Sequence, residues 1–151
     1  MYLPAGMLHA YLEGSGMEIM ANSNNVIRGG LTAKHIDVPE LLNNAIFEGS
    51  EPEILQPIQL PGSREWVFKT PVREFELRRI EVTERQPHQN GADHSAEILI
   101  LVDVNTGARV MVTSGEQRLD LPRGGAFLAP YGAAYTISTD RAAVLYKATM
   151  P

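Results

Sequence analysis

The sequence EILILVDV, residues 97–104, decides the fold class of this chain. Ile98–Val102 is apolar throughout, which predicts a central strand buried on both faces. Short strands separated by turn signals are expected around it, at Arg64–Lys69, Phe75–Val82, Ala108–Thr113, Gln117–Leu121, Ala126–Leu128, Ala134–Ser138 and Ala143–Lys147. Many short strands at close spacing predict an all-β fold, an antiparallel barrel or jelly roll.

Upstream of these strands the pattern changes. Residues 48–62 carry three prolines and few periodic apolar residues, which predicts a connector. Residues 1–47 are therefore expected to form one unit and residues 48–151 the barrel. Within the first unit, residues 39–47 predict a short helix capped near Asp37 or Val38, with Pro39 in its first turn. Its buried side is predicted to consist of Leu41, Leu42, Ala45 and Ile46.

The first residues predict a β-hairpin. Residues 8–12 and 17–21 resemble strands, and Glu13-Gly14-Ser15-Gly16 between them is typical of a turn. Because side chains alternate along a strand, this register makes Tyr11 face Glu18 and puts His9 on the same surface. A histidine, a phenol and a carboxylate on one face indicate the floor of a site.

Composition limits the class of protein. The chain has 151 residues, of which 44% are hydrophobic, and this indicates a folded globular protein. A net charge of −5 argues against a general nucleic-acid binder. The absence of cysteine excludes disulfides and fits a reducing cytoplasm. No apolar run approaches a membrane span and no signal peptide is visible, so we expect a cytoplasmic protein that binds no membrane.

The predicted barrel offers little metal chemistry. Cupin-type barrels carry their metal-binding His and Glu on strands, whereas His88 and His94 lie in a polar segment, residues 86–95, that predicts a flexible loop. Where a cupin turn precedes a ligand histidine, the sequence LPRGGAFLAPYGAAYTI (residues 121–137) has the turn but no histidine. We therefore expect solvated loop histidines and a barrel that binds no metal.

The first unit holds the better candidates. Glu18 beside His9 suits zinc binding or acid–base work, although zinc needs three or four protein ligands and His9 is the only strong one here. Arg28 and Lys34 suit an anionic substrate, but taken alone they are more often exposed surface cations.

These residues carry a resemblance. HAYL (residues 9–12), then ExMAxS (residues 18–23), then NVxRxGxTxK (residues 25–34) are similar to the C-terminal signature region of type I mannose-6-phosphate isomerases. The match runs from Leu3 to about Leu42. Members of that family are zinc-dependent, cupin-fold enzymes that interconvert mannose 6-phosphate and fructose 6-phosphate.

The resemblance implies a role for each residue. His9 would be a zinc ligand whose partners lie upstream of Met1, Arg28 would face the reacting substrate, and Glu18 would be the best base in this chain. Tyr11, Lys34 and Asn24 would line the sugar phosphate site. The family usually has Asp in place of Asn24 and Pro in place of Ala33, so residue 24 lacks the carboxylate that an acid–base role would use.

The resemblance also implies a truncated enzyme. Residues 1–47 would then be the closing strands and loop of a catalytic barrel, and residues 48–151 a second barrel without metal. We expect such a chain to be inactive alone and to need the missing N-terminal part. A second hypothesis is that it dimerises through the exposed edges of the hairpin. The alternative function is a non-enzymatic sugar-binding or regulatory cupin module, and a purely structural barrel ranks last.

Overall fold

The computed structural model describes residues 1–23, 26–49, 51 and 53–151. The chain divides into two compact units. The N-terminal unit comprises Met1–Glu18 and Asn22–Leu55, and the C-terminal unit comprises Ile19–Ala21 and Gln56–Pro151. The predicted assignment of residues 1–47 to a catalytic barrel stays a prediction.

Among its described residues, the N-terminal unit contains one helix, α1 (Val38–Asn44). Asp37 caps it as the sequence predicts, because its Oδ1 accepts a 3.0 Å hydrogen bond from the backbone N–H of Glu40. The helix ends three residues earlier than predicted, since Ala45 is already extended. The expected buried side was wrong: no residue of α1 is buried, and Leu42 and Ile46 are 59% and 51% exposed.

The predicted hairpin is a second correction. Neither residues 8–12 nor residues 17–21 form a strand in the structure. A two-stranded hairpin is marginally stable without an apolar surface to cover one face. Here Leu8, Leu12 and Met20 are all more than half exposed. No apolar surface of the described residues therefore packs against these segments to stabilise pairing between them. Dimerisation through hairpin edges thereby loses its premise and stays an untested prediction.

The C-terminal unit is built from ten antiparallel strands. They are β1 (Ile58–Gln59), β2 (Glu65–Phe68), β3 (Glu76–Val82), β4 (His88–Asn90), β5 (Glu97–Val104), β6 (Val110–Ser114), β7 (Gln117–Asp120), β8 (Ala126–Ala129), β9 (Tyr135–Thr139) and β10 (Ala143–Thr149). One sheet has the order β1-β2-β3-β10-β5-β8, and the other has the order β4-β9-β6-β7. This mostly β, antiparallel architecture confirms the predicted fold class.

All eight strands predicted for the C-terminal unit are present, each within two residues of its expected ends. Two strands were missed. β1 has only two residues, and β4 lies in the segment predicted as a flexible loop. β4 pairs with β9 through His88–Ile137 and Asn90–Tyr135, which makes it one edge of the four-stranded sheet.

The interior of the C-terminal unit has an apolar part and an ionic part. The apolar core includes Ile80, Leu99, Leu101, Ile137 and Leu145, each fully buried. The buried polar and charged residues follow the same alternation on the same strands: Glu65, Glu76, Glu97, Thr139, Lys147 and Thr149. On β10, for example, Lys147 lies two residues beyond Leu145 and therefore points to the same face.

The central strand β5 is buried on one face only. Leu99 and Leu101 are fully buried, whereas Ile98 is 56% exposed, although β5 lies between β10 and β8 in the sheet. The prediction of burial on both faces was therefore wrong. The sheet packs through one face, as antiparallel sheets commonly do, and the other face of β5 tolerates apolar side chains near solvent.

Within the described residues, no helix has both the length and the apolar character needed to span a bilayer.

Candidate functional site

Three of the predicted site residues meet in the N-terminal unit. The Tyr11 hydroxyl donates a 2.8 Å hydrogen bond to Oε1 of Glu18. The rings of His9 and Tyr11 meet edge to face, with centroids 6.0 Å apart. The face predicted from the alternation of side chains therefore exists, although no strand ladder holds it.

The cluster lies at the surface. Tyr11 is 72% exposed, and His9 and Glu18 are exposed as well. The hydrogen bond to the Glu18 carboxylate raises the pKa of the Tyr11 phenol, because the phenolate would lose that bond and face a like charge. Tyr11 therefore holds its proton and orients Glu18.

The backbone beside His9 fixes the direction of its ring. The backbone N–H of Ile46 donates a 2.8 Å bond to the carbonyl of Gly6, and Met7 forms a parallel bridge with Ile46. Gly6 has φ of 81°, and a Cβ there would come within 2.9 Å of the Asn44 carbonyl oxygen, so only glycine fits. The Met7 carbonyl lies 3.0 Å from Nδ1 of His9.

Arg28 and Lys34 are not drawn into this cluster. Arg28 is half-buried and Lys34 is exposed, and among the described residues no side-chain hydrogen bond joins either of them to His9 or Tyr11. The loop between them is irregular, as its two glycines predict: Gly30 has φ of 149° and the following Leu31 has φ of 49°. Asn24 lies outside the described residues.

No group of three or more His, Asp or Glu side chains that could hold a metal ion occurs in the part of the chain that the structure describes. His9 is thus the one predicted ligand with a geometry to assess. If its Nδ1 donates to the Met7 carbonyl, Nε2 keeps its lone pair, which is how metal-binding histidines are usually oriented.

The C-terminal unit contains an ionic cluster that the sequence analysis missed. Nζ of Lys147 lies 2.8 Å from Oε1 of Glu65 and 3.3 Å from Oε1 of Glu97, and the lysine side chain is fully buried. Arg78 contacts Glu65 at 3.1 Å. Tyr135 and Asn90 donate to Oε2 of Glu97 at 2.7 and 2.9 Å. The signal was the strand alternation, which puts Glu65, Glu97 and Lys147 in phase with Val67, Leu99 and Leu145.

The charges of this cluster stabilise one another. Burial alone would raise the pKa of Glu65, but the Lys147 ammonium and the Arg78 guanidinium, with other nearby groups, together outweigh it and hold that pKa below its usual range. Burial lowers the pKa of His88 to about 4, so this ring is neutral at pH 7. Its Nε2 is shielded from solvent and has no hydrogen-bond partner among the described residues.

The expectation of two solvated loop histidines was wrong. His88 is on β4 and packs 6.1 Å from the Tyr135 ring, and the His94 side chain is only 6% exposed. Nε2 of His94 lies 2.9 Å from the Ala133 carbonyl, and its Nδ1 faces the carbonyl of Ser95. Burial opposes charge on His94, but these two acceptors outweigh it and raise its pKa. The polar sequence of residues 86–95 gives no sign of these contacts. His88 and His94 contact residues of β9 and of the segment before it, which lie at least 39 residues further along the chain.

Comparison with known proteins identifies similar enzymes. The chain is 38% identical over 143 residues to the mannose-6-phosphate isomerase of Salmonella typhimurium, covering 90% of this chain and 34% of the relative. It is 35% identical over 138 residues to the Escherichia coli enzyme, covering 91% and 34%. No protein-family model matches. The chain is thus similar to mannose-6-phosphate isomerases over nearly its whole length.

Solved structures of this isomerase family agree with the fold. The Salmonella typhimurium enzyme bound to substrate (f6p) and a zinc atom matches with a TM-score of 0.66 and 32% identity, over 87% of this chain and 32% of that one. The apo form of the same mannose-6-phosphate isomerase matches with a TM-score of 0.67 and 30% identity. The chain thus spans about a third of the length of the curated mannose-6-phosphate isomerases it matches.

Proposed function

We propose that this chain is the C-terminal part of a zinc-dependent isomerase that interconverts mannose 6-phosphate and fructose 6-phosphate in the cytoplasm. The observation that carries the proposal is the His9–Tyr11–Glu18 cluster, formed by motif residues of a family with a zinc- and substrate-bound member. Since the chain spans a third of its relatives, the activity belongs to the longer enzyme.

His9 is the metal ligand of this proposal. Its Nδ1 contact with the Met7 carbonyl orients Nε2 as an acceptor, which supports ligation through that nitrogen. Zinc, when bound by His9 and ligands from the rest of the enzyme, supplies a Lewis acid for a sugar oxygen. One imidazole cannot supply the three or four protein ligands that zinc takes, so the chain alone holds zinc weakly.

Glu18 and Arg28 are the proposed catalytic residues. An aldose–ketose isomerisation moves one proton from C2 to C1 through an enediol, while a second proton moves from O2 to O1. The Glu18 carboxylate can take the carbon-bound proton and return it. Its bond from Tyr11 keeps the acceptor oriented. Arg28 remains charged and stabilises the developing oxyanion. Tyr11, Lys34 and Asn24 are the proposed substrate-binding residues.

The exposed apolar surface of the N-terminal unit supports a missing part of the enzyme. Leu12 and Leu31 are essentially fully exposed, and Leu8 and Phe47 are more than half exposed. Several large apolar side chains exposed in one short unit are consistent with a surface that another protein segment covers. The N-terminal portion of the same enzyme is the proposed partner.

A complementation assay tests this function. The purified chain alone should not convert mannose 6-phosphate to fructose 6-phosphate. Mixed with the portion of the Salmonella typhimurium enzyme that it does not match, it should restore zinc-dependent conversion. His9→Ala should abolish the restored activity and lower the zinc retained per complex, whereas the matched exposed variant His35→Ala should change neither.

Two outcomes would contradict the proposal. Full isomerase activity of the isolated chain would remove the need for a missing part. Complementation that survives His9→Ala with full zinc retention would exclude the ligand role. A chain that binds hexose phosphate but never complements would instead favour the non-enzymatic cupin module.

A further inference from the structure

A cleft opens into the C-terminal unit beside the ionic cluster. It has a volume of about 720 Å³ and lies between the turn joining β1 to β2 and the strand β4. Clefts of roughly 300–1,000 Å³ hold ordinary small-molecule ligands. All of its lining residues belong to this unit, so it is separate from the His9 cluster.

Two residues connect the cleft with the buried ionic cluster. Glu65 and His88 line the cleft, and both also belong to the interior around Lys147. Arg78 and Lys147 both contact Oε1 of Glu65. No hydrogen bond to Oε2 of Glu65 occurs among the described residues, so that oxygen can accept from a ligand.

The charges around the cleft are already compensated. Glu65 and Glu97 face Lys147 and Arg78 in the interior. At the rim, Arg64 is paired with Glu81. A charged group beside Glu65 would have to displace one of the interior pairs, and removing one partner of a buried pair is strongly unfavourable.

The uncharged groups of the cleft are hydrogen-bonding groups. Gln89 presents an amide that can donate and accept, and Gln86 presents an amide nitrogen that can donate. The Gln59 amide already donates to the Ser63 carbonyl, and the Ser63 hydroxyl is bonded to backbone groups of Leu60 and Glu65. His88, neutral at pH 7, adds no charge to the cleft, and its Nε2 is shielded from solvent. Such a set matches a ligand that carries many hydroxyl groups and no net charge.

We propose that this cleft binds a neutral, hydroxyl-rich small molecule of hexose size, with Glu65 accepting from its hydroxyls and the Gln89 amide bonding at the rim. The site is independent of the proposed isomerase function, because no residue of the N-terminal unit takes part. It also differs from that function in ligand class, since it selects against the phosphate group.

An NMR titration of the full chain with D-mannose tests the proposal, with D-mannose 6-phosphate and D-glucosamine as charged probes. D-mannose should shift the backbone amides of residues 60–65 and 88–90 with saturation, and both charged sugars should bind more weakly. Gln89→Ala should weaken D-mannose binding about fivefold, which corresponds to one lost hydrogen bond.

The chain offers a matched control. Gln117 is an exposed glutamine on β7, the opposite edge of the same sheet, so Gln117→Ala should leave the titration unchanged. Equal affinity of the wild-type and Gln89→Ala proteins would overturn the proposal. So would tighter binding of either charged sugar, or the absence of saturable shifts in the cleft with D-mannose.

Discussion

The two units contain the same chemical pair in opposite environments. In the N-terminal unit, Tyr11 donates to Glu18 at 2.8 Å, and in the C-terminal unit Tyr135 donates to Glu97 at 2.7 Å. Tyr11 is 72% exposed, whereas Tyr135 is 4% exposed and Glu97 is 2% exposed. The hydrogen bonds have almost the same length, so any difference in their effects must come from their surroundings.

The surroundings assign different roles to the pairs. Burial, followed by the bond to Glu97, raises the pKa of Tyr135 far more than the bond to Glu18 raises that of Tyr11. A buried polar group without its partner is costly, whereas an exposed one exchanges its partner for water. The buried pair therefore stabilises the fold, and the exposed pair remains available to a substrate.

The largest test of this comparison is Lys147→Met. It leaves the carboxylates of Glu65 and Glu97 buried without the ammonium that lies 2.8 and 3.3 Å from them. Breaking a buried ion pair from one side costs about 3–5 kcal/mol, and we expect the free energy of unfolding to fall by that amount in urea titrations.

The matched control is Arg118→Met on β7, where the side chain is exposed. That change should stay within about 0.5 kcal/mol of the wild-type protein. Equal losses in both variants would show that the buried cluster does not stabilise the unit.

Acid should destabilise the C-terminal unit in two windows. The pKa of His88 is about 4 in the folded protein against 6.5 ordinarily, so between these values the unfolded chain binds more protons. Stability should therefore fall as the pH drops from 6.5 to 4, by up to about 3 kcal/mol. The lowered pKa of Glu65 adds a loss only below 4.5, as the pH falls through its folded value.

Urea titrations across this range separate the two windows. His88→Gln should flatten the dependence between pH 6.5 and 4 and leave the steeper loss at lower pH. The exposed His35→Gln should leave the whole profile unchanged. An unaltered profile for His88→Gln would contradict a neutral, buried His88.

The fold was largely predictable because its strands obey local rules. β5 was predicted with its observed ends, since turn signals bound an apolar run there. β4 was not, because HQN (residues 88–90) has no strand character and depends on its ladder with β9. The hairpin prediction was wrong because a regular alternation is not sufficient. The apolar side chains of residues 8–12 and 17–21 have no surface to pack against in the described part of the chain and remain largely exposed.

The candidate sites divide in the same way. The meeting of Tyr11 with Glu18 was predicted from a hairpin register that the structure does not contain, so the contact is present but the stated reason for it was wrong. Glu65, Glu97 and Lys147 lie on three strands that are far apart in sequence. They meet only because of the register in which the strands pair, and no local sequence pattern predicts that register. A single charged residue in phase with core residues is the only local sign of such a cluster.

The most direct test compares the two tyrosines. Tyr135→Phe removes the buried donor to Glu97 and should lower the free energy of unfolding by about 2 kcal/mol, because a bond to a charged group is lost. Tyr11→Phe removes a bond that water can replace, and should change it by less than about 0.5 kcal/mol. Tyr131→Phe, at an 82% exposed tyrosine of the C-terminal unit, controls for the loss of a hydroxyl from that unit. Urea titrations of the three variants measure the difference, and a loss for Tyr11→Phe as large as that for Tyr135→Phe would mean that the exposed pair supports the fold rather than a site.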